Sequence, residues 1–216
     1  MKPFEYNPPR EPLNIIHRDD DLIVVSKPSG LLTVPGKNPE HRDCVEVRVK
    51  DEFPRALLVH RLDMYTSGVI VFAGNANAQR HLGLQFERRV LEKTYEAIVW
   101  GQPENTGVVK LPLIVDWPKR PLQKVCFETG KPSETAWEVL DRSGRSSRVA
   151  LFPKTGRSHQ LRVHMNEIGH PILGDRFYAK GAALEASPRL CLHAKSLRLR
   201  HPDGGAWISF EDPVQF

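Results

Sequence analysis

Long apolar runs, paired cysteines and glycine-rich loops are all missing from this chain, and each absence removes a class of protein. No uninterrupted apolar stretch in the 216 residues approaches the ~20 needed to span a bilayer. The opening Met1-Lys2-Pro3-Phe4-Glu5-Tyr6-Asn7-Pro8-Pro9 has no apolar signal-peptide core, so an extended arm over residues 1–12 and a cytoplasmic protein are expected. Cys44, Cys126 and Cys191 are odd in number, far apart and without a Cys-x-x-Cys pair. That disfavours a zinc knuckle and a disulfide framework, and leaves three small buried or half-buried residues. Ser67, Ser158, His60, His193 and Asp63 would make a triad on paper, but no Gly-x-Ser-x-Gly elbow exists to present a serine. Thr155-Gly156-Arg157 is too short for a phosphate loop. Nine histidines invite a metal, yet no His-Glu-x-x-His occurs. His159 and His164, five residues apart, would point about 140° apart around a helix. A metal ion is not expected.

What is present is an ample apolar fraction, 40%, and a net charge of +5 that is unevenly spread. Residues 1–60 carry nine Lys/Arg against ten Asp/Glu. Residues 142–200 carry twelve Lys/Arg against three acids, with apolar residues between them. A solvated face is the ordinary meaning of such a run; bases spread over several elements suit a groove for phosphates better.

The chain shows no repeat, low-complexity linker or heptad run. Residues 13–17 and 22–26 flank Asp19-Asp20-Asp21 and read as a hairpin, followed by a loop marked by Lys27-Pro28-Ser29-Gly30 and Pro35-Gly36. Asp43 with Glu46 has the form of a capping box for a helix to about Phe53, stopped by Pro54. Val69-Ile70-Val71-Phe72-Ala73 reads as a buried strand. A second helix is expected over residues 76–89, capped by Asn75, with Leu82 and Phe86 on its buried face. Strands are expected at residues 95–100, 125–127, 135–140, 148–152, 190–199 and 206–210. Ser158 is placed to cap a short helix with Leu161, Met165 and Ile168 inward and Gly169 as its stop. Strands and helices do not alternate regularly, so an α+β fold follows, with a mixed, mostly antiparallel sheet and a few covering helices.

The most informative stretch is His60-Arg61-Leu62-Asp63-Met64-Tyr65-Thr66-Ser67-Gly68, which sets one carboxylate just before the buried strand. Such a group is either held by a cation or used in chemistry, and Arg157 is a partner for it. A structural salt bridge is the plain alternative. His60-Arg61-Leu62-Asp63 followed by Thr66-Ser67-Gly68 resembles the signature of the RluA family of RNA pseudouridine synthases. Lys93-Thr94-Tyr95, Thr155-Gly156-Arg157-Ser158-His159-Gln160-Leu161-Arg162-Val163-His164, His170-Pro171-Ile172-Leu173-Gly174-Asp175 and Leu192-His193-Ala194 match its further motifs, in order, over residues 22–194.

The resemblance implies the pseudouridine synthase fold, with a cleft across the middle of its sheet, over residues 13–216. It leaves no room for the S4 RNA-binding domain that many relatives carry, and it sets Trp137 where the family often has Tyr. It implies Asp63 as the catalytic carboxylate, attacking C1′ or removing a ribose proton. Arg157 would be its cation, Tyr95 a stacking partner for the base, Leu192 an apolar floor and Arg61 the side chain filling the space of the extruded nucleotide. The short chain, the arm and residues 169–179 resemble the small dual-specificity members. That implies action on two structured RNAs, a tRNA anticodon stem-loop and a 23S rRNA stem-loop; a monomer is expected. A synthase for a different uridine, and a catalytically idle RNA-binding protein or RNA chaperone, are the alternatives. The intact set Asp63, Tyr95 and Arg157 speaks against the idle one.

Overall fold

A computed structural model of the chain describes residues 5–216. The first half contains β1 (Asn14–Arg18), β2 (Leu22–Lys27), α1 (Val45–Glu52), β3 (Leu57–Leu58), β4 (Ser67–Ala73), α2 (Ala76–Arg88), β5 (Glu92–Trp100) and β6 (Thr106–Val109). Then come β7 (Leu113–Val115), β8 (Gln123–Val125), β9 (Thr135–Ser143), β10 (Ser146–Pro153), α3 (Gln160–Glu167), α4 (Ala182–Glu185), β11 (Leu192–Arg200) and β12 (Trp207–Glu211). Two compact units result: the described part of Met1–Glu92 with Ala194–Gln215, and Lys93–His193 with Phe216. Residues 1–4 of the expected arm lie outside the described residues; residues 5–12 have no regular structure. Among the described residues no helix is long and apolar enough to cross a membrane.

In the first unit β1, β2 and β4 pair antiparallel, β3 adds to β4, and β12 pairs antiparallel with β11. All seven residues of β4 are buried, as expected of an apolar run covered on both faces. Its side chains Val69 and Val71 join Leu22, Val24, Leu197, Leu199 and Phe210 in one cluster, closed by Ala78 and Leu82 of α2. Asn75 caps α2 as expected, its Oδ1 accepting the Ala78 N–H at 2.9 Å, while its Nδ2 donates to Asp21 Oδ1 at 2.7 Å. Gln85, buried, donates to the Arg200 carbonyl at 2.7 Å and accepts the Arg200 N–H at 2.8 Å, so the helix is tied to β11 by a side chain acting as a strand edge.

The β1–β2 turn is built on Asp19. One carboxylate oxygen accepts the Asp21 and Leu22 N–H groups at 2.8 and 2.7 Å, and the other meets His17 at 2.6 Å and His201 at 3.0 Å. Burial alone would raise the Asp19 carboxyl, but these four partners outweigh it and hold it well below the usual carboxylate range. Burial likewise pulls His201 down, and its bonds to Asp19 and the Asp203 carbonyl overcome this and raise it.

The second unit is a four-stranded antiparallel sheet in the order β5-β10-β9-β6, with the separate ribbon β7–β8. The strand expected at 125–127 lies at Gln123–Val125, two residues earlier, because residues 126–130 form a turn closed by Gly130 N–H to Cys126 O at 3.0 Å. Trp137 covers Gly107, where any Cβ would overlap its indole, and its Nε1 donates to the Glu104 carbonyl at 3.1 Å. Arg162 and Asp175 form a buried two-point ion pair at 2.7 and 2.8 Å beneath the rings of Phe177 and Tyr178.

Two helix starts differ from expectation. Asp43 makes no cap for α1, because its carboxylate is taken by Arg48 at 2.7 Å through both oxygens. Ser158 does not cap α3: the helix starts at Gln160 after His159, whose φ of 54° is left-handed, and no side chain caps that position. A backbone already turned by His159 carries Ser158 away from the first helical N–H groups.

Gly68 has φ +112°, and a Cβ there would overlap the Ala194 carbonyl. Gly68→Ala is therefore expected to lower unfolding free energy by at least about 3 kcal/mol, read as a shifted urea midpoint. For His201, a raised pKa means that its contribution is complete below the unfolded value near about 6.5 and fades as pH rises through the folded value. Asp19 contributes in the opposite sense, losing its share as pH falls below about 3.9. His201→Ala should flatten the fall in stability between about pH 6 and 8; equal slopes for variant and parent would remove the histidine from this account.

Candidate active site

Asp63 lies in the loop between β3 and β4, and that loop is held by its backbone. Leu62, buried, donates its N–H to Thr33 Oγ1 at 3.2 Å and accepts the same hydroxyl at its carbonyl at 2.7 Å. The Asp63 carbonyl closes a turn with the Thr66 N–H at 3.1 Å. The Met64 carbonyl accepts from the Gly30 N–H at 2.9 Å and from Lys27 Nζ at 2.8 Å. Tyr65 offers its carbonyl to Ser29 Oγ at 2.8 Å. Asp63 is thus half-buried between neighbours fixed on both sides, and Arg61 is exposed. His60 stacks on Phe86 with centroids 4.7 Å apart and accepts the Val71 N–H at Nε2, 3.1 Å, which makes it a packing residue with its other nitrogen protonated.

The clamping segment, residues 27–33, is itself pinned. The N-terminus of α1 has no side-chain cap, and its orphan N–H groups of Val45 and Glu46 instead donate to the Leu32 and Thr33 carbonyls at 2.9 and 3.1 Å. Tyr6 from the arm bridges the same region, donating to the Asp43 carbonyl at 2.8 Å and accepting the Leu32 N–H at 3.0 Å. Arg48 adds bonds to the Pro9 and Glu11 carbonyls at 2.5 and 3.1 Å. Helix start, Thr33, Leu62 and Asp63 form one chain of constraint.

The remaining expected site residues belong to the second unit. Arg157 is half-buried in the loop between β10 and α3. Gln160, buried, sets that loop: its Oε1 accepts Thr155 Oγ1 at 2.6 Å and the Arg157 N–H at 3.0 Å. Its Nε2 donates to the Glu134 carbonyl at 2.9 Å and Thr135 Oγ1 at 3.0 Å. All four bonding directions of this amide are used. Arg157 Nε makes a long bond, 3.4 Å, to the Pro132 carbonyl, and His159 Nδ1 meets the Tyr178 hydroxyl at 2.7 Å. Tyr95 sits on β5 opposite Leu151 and two residues from Lys93, so the two share a face. Lys93 reaches the Thr155 carbonyl at 3.3 Å, which turns that face toward the Arg157 loop. Leu192 opens β11, buried. His164 is enclosed by Thr135, Ser133 and the Leu111 carbonyl at 2.9, 3.0 and 3.1 Å, and burial lowers its pKa. The two histidines of this segment have separate structural partners.

Lys27, Thr33 and Gln160 had no role in the sequence reading. Lys27 is visible there only as the first residue of the loop marker Lys27-Pro28-Ser29-Gly30, and Gln160 only as one letter of a motif.

An arrangement of this kind, on an α+β scaffold, is matched across most of the chain by the family model for RNA pseudouridylate synthases, over residues 21–167. The chain belongs to that family: it is an isomerase that converts uridine in RNA to pseudouridine. It is 55% identical over 214 residues, 98% of each chain, to the dual-specificity RNA pseudouridine synthase RluA of Escherichia coli K12. To the protein of the same name from Pasteurella multocida it is 52% identical over 219 residues, 100% of each. Among solved structures, human RNA pseudouridylate synthase domain containing 1 superposes with a TM-score of 0.77 at 28% identity, covering 99% of this chain and 86% of that one. The domain containing 4 protein gives 0.75 at 26%, covering 94% and 88%.

Lys27→Met removes the ammonium while keeping the stem, leaving the Pro28 and Met64 carbonyls short of a donor. A loss of about 2 kcal/mol is expected, with a smaller loss for Thr33→Val, both measured by urea unfolding. Unchanged midpoints would mean that the loop does not depend on these bonds.

Proposed function

We propose that the enzyme has two substrates, a uridine in a tRNA anticodon stem-loop and one in a stem-loop of 23S rRNA. Support comes from identity above half, over nearly the full length, with proteins named dual-specificity. In this reading it works as a monomer in the cytoplasm, with one catalytic domain over residues 13–216 after the arm.

The chemistry follows from what a uridine must undergo. The N1–C1′ bond breaks, the uracil turns, C5 bonds to C1′, and the C5 proton leaves as N1 gains one. Nothing is oxidised and no group departs, so no cofactor is required. A stacked uracil cannot turn, so the nucleotide is extruded, at about a few kcal/mol of unstacking. Asp63 is the catalytic carboxylate acting at the ribose. Arg157 is the cation that orients it and keeps it charged. Tyr95 stacks on the freed base, Leu192 is the apolar floor and Arg61 occupies the vacated space in the RNA. The observation that carries this assignment is the clamped backbone on either side of Asp63: a reacting group needs its geometry fixed before substrate arrives.

The test uses stem-loop transcripts of both RNAs carrying tritium at uridine C5. The parent enzyme should release tritium from both, and Asp63→Ala should release none while binding RNA within about threefold of the parent, since one carboxylate adds nothing to phosphate binding. Arg157→Lys should lose at least about tenfold in rate, because an ammonium lacks the two-point fork. Binding without any release by the parent would make the chain an idle RNA-binding protein. Release from only one transcript would overturn dual specificity alone.

A further inference from the structure

The ribbon β7–β8 carries two rings with no packing role. Trp117, in the loop after β7, is 65% exposed, and Phe127, in the turn after β8, is 77% exposed. Exposed aromatics of this size are ordinarily buried or used. The Arg120 guanidinium lies 4.0 Å from the centroid of the Trp117 ring, holding it outward as a braced plane. The backbone beneath is stiff. The Asp116 N–H bonds to Leu122 O at 2.8 Å, Lys119 N–H to Asp116 O at 2.8 Å, and Lys131 pairs with Leu113 both ways at 2.8 and 3.0 Å. Any Cβ at Gly130 would overlap the Cys126 carbonyl, so the turn bearing Phe127 has one tight form.

The charge around the rings is mainly positive. Residues 110–131 contain Lys110, Lys119, Arg120, Lys124 and Lys131 against Asp116 and Glu128; Lys124 approaches Asp116 at 3.5 Å and Lys110 approaches Glu134 at 3.4 Å. The ribbon is also wired to the Arg157 loop. The Tyr178 hydroxyl accepts the Gln123 N–H at 2.9 Å and meets His159 at 2.7 Å, while Pro132, next to Lys131, receives Arg157 Nε. A nucleotide seated on this ribbon is therefore linked by two hydrogen-bonded paths to the loop that presents Arg157.

We propose that the β7–β8 ribbon is a stacking platform for unpaired bases of the substrate RNA, with Trp117 and Phe127 each taking one base. This rests on the function proposed above and adds its means of choosing loops over duplex. Flat rings amid cations suit single-stranded RNA, whose bases offer open π-faces and whose phosphates lie alongside. The rings lie two residues beyond opposite ends of the paired strands, farther apart along the ribbon than the ~7 Å that the strands themselves span. They engage different nucleotides, and their effects should add.

The experiment measures Kd and tritium release for the parent, Trp117→Ala, Phe127→Ala and the double variant, on the tRNA stem-loop and on its stem closed as plain duplex. Each single change should weaken stem-loop binding about tenfold and the double about a hundredfold. Duplex binding should stay within about twofold, as should the rate at saturating RNA, because no phosphate contact or reacting group is removed. Trp117→Phe and Phe127→Tyr should bind as the parent does. Unchanged Kd for the double variant overturns the platform, as does equal weakening on duplex. A parent that sediments as a dimer split by these substitutions would assign the rings to a protein contact and overturn it too. Tritium release by the parent reports on the function proposed above; the ratio of variant to parent Kd reports on the platform alone.

Discussion

An ammonium group with no solvent exposure, Lys27 at the end of β2, is the constraint on which the arrangement around Asp63 turns. A buried charge is tolerated only with compensating bonds, and Lys27 donates to the Pro28 and Met64 carbonyls at 2.8 Å each. Those carbonyls belong to two loops distant in sequence. Either loop moving away would cost the buried cation a bond, so the desolvation penalty becomes a positional force. The polar bonds of Thr33, Ser29 and Gly30 act on the same few backbone atoms and in the same direction. The main chain of the Asp63 loop supplies the anchoring, while Leu62 and Thr66 are buried and Asp63 stays half-buried.

The Arg157 loop in the second unit uses the same device with different chemistry. There a neutral amide, Gln160, spends all four of its bonds on Thr155, Arg157, Glu134 and Thr135. A lysine can pull two carbonyls together but accepts nothing, whereas a primary amide offers two donors and a two-lone-pair acceptor at once. The Arg157 N–H needs an acceptor and the Glu134 carbonyl a donor, which is why an amide stands here. Both loops that bear the proposed reacting groups are therefore rigid in the backbone, the condition under which a side chain holds its position to a fraction of an ångström.

How much of this was legible in the sequence depends on whether the signal was local. The cap Asn75, the apolar run of β4 and the β1–β2 hairpin act through neighbours in the chain, and all three stand as read. The capping box at Asp43 failed because Arg48, five residues on, offers a stronger partner than a backbone N–H. Ser158 failed because His159 adopts a left-handed turn that only the surrounding fold enforces. The short strands β3, β6 and β7 carry too few residues for any period to show. For the site, Asp63 with Arg157 was a candidate pair from the carboxylate's place before a buried strand, but the roles of Tyr95, Leu192 and Arg61 were reachable only through resemblance, since their motifs lie far apart. Lys27 and Gln160 were hidden because their work is done on backbone atoms, which no residue pattern displays.

The charge distribution shows how composition can overstate a surface. Twelve bases against three acids over residues 142–200 suggested a phosphate groove. Arg162 is buried against Asp175, Arg148 is engaged by Glu96 at 3.0 Å and the Phe216 carbonyl at 2.6 Å, and burial lowers the Arg189 pKa beside the Phe216 ring. Arg198 and Arg200 lie on Trp207, and Lys154 pairs with Glu134 at 2.7 Å. Half of the run thus serves the fold first. Long-range attraction to RNA scales with cations that phosphates can displace water and counterions from, not with the formal count. A surface with fewer such cations must find its selectivity in shape and in contacts that ignore charge, and a duplex offers neither an extrudable uridine nor an open base. Modest charge and hydrogen-bonded loops are compatible in the proposed reading: weak general attraction lets an enzyme leave most RNA quickly, and selection then falls to contacts that depend on the RNA's shape.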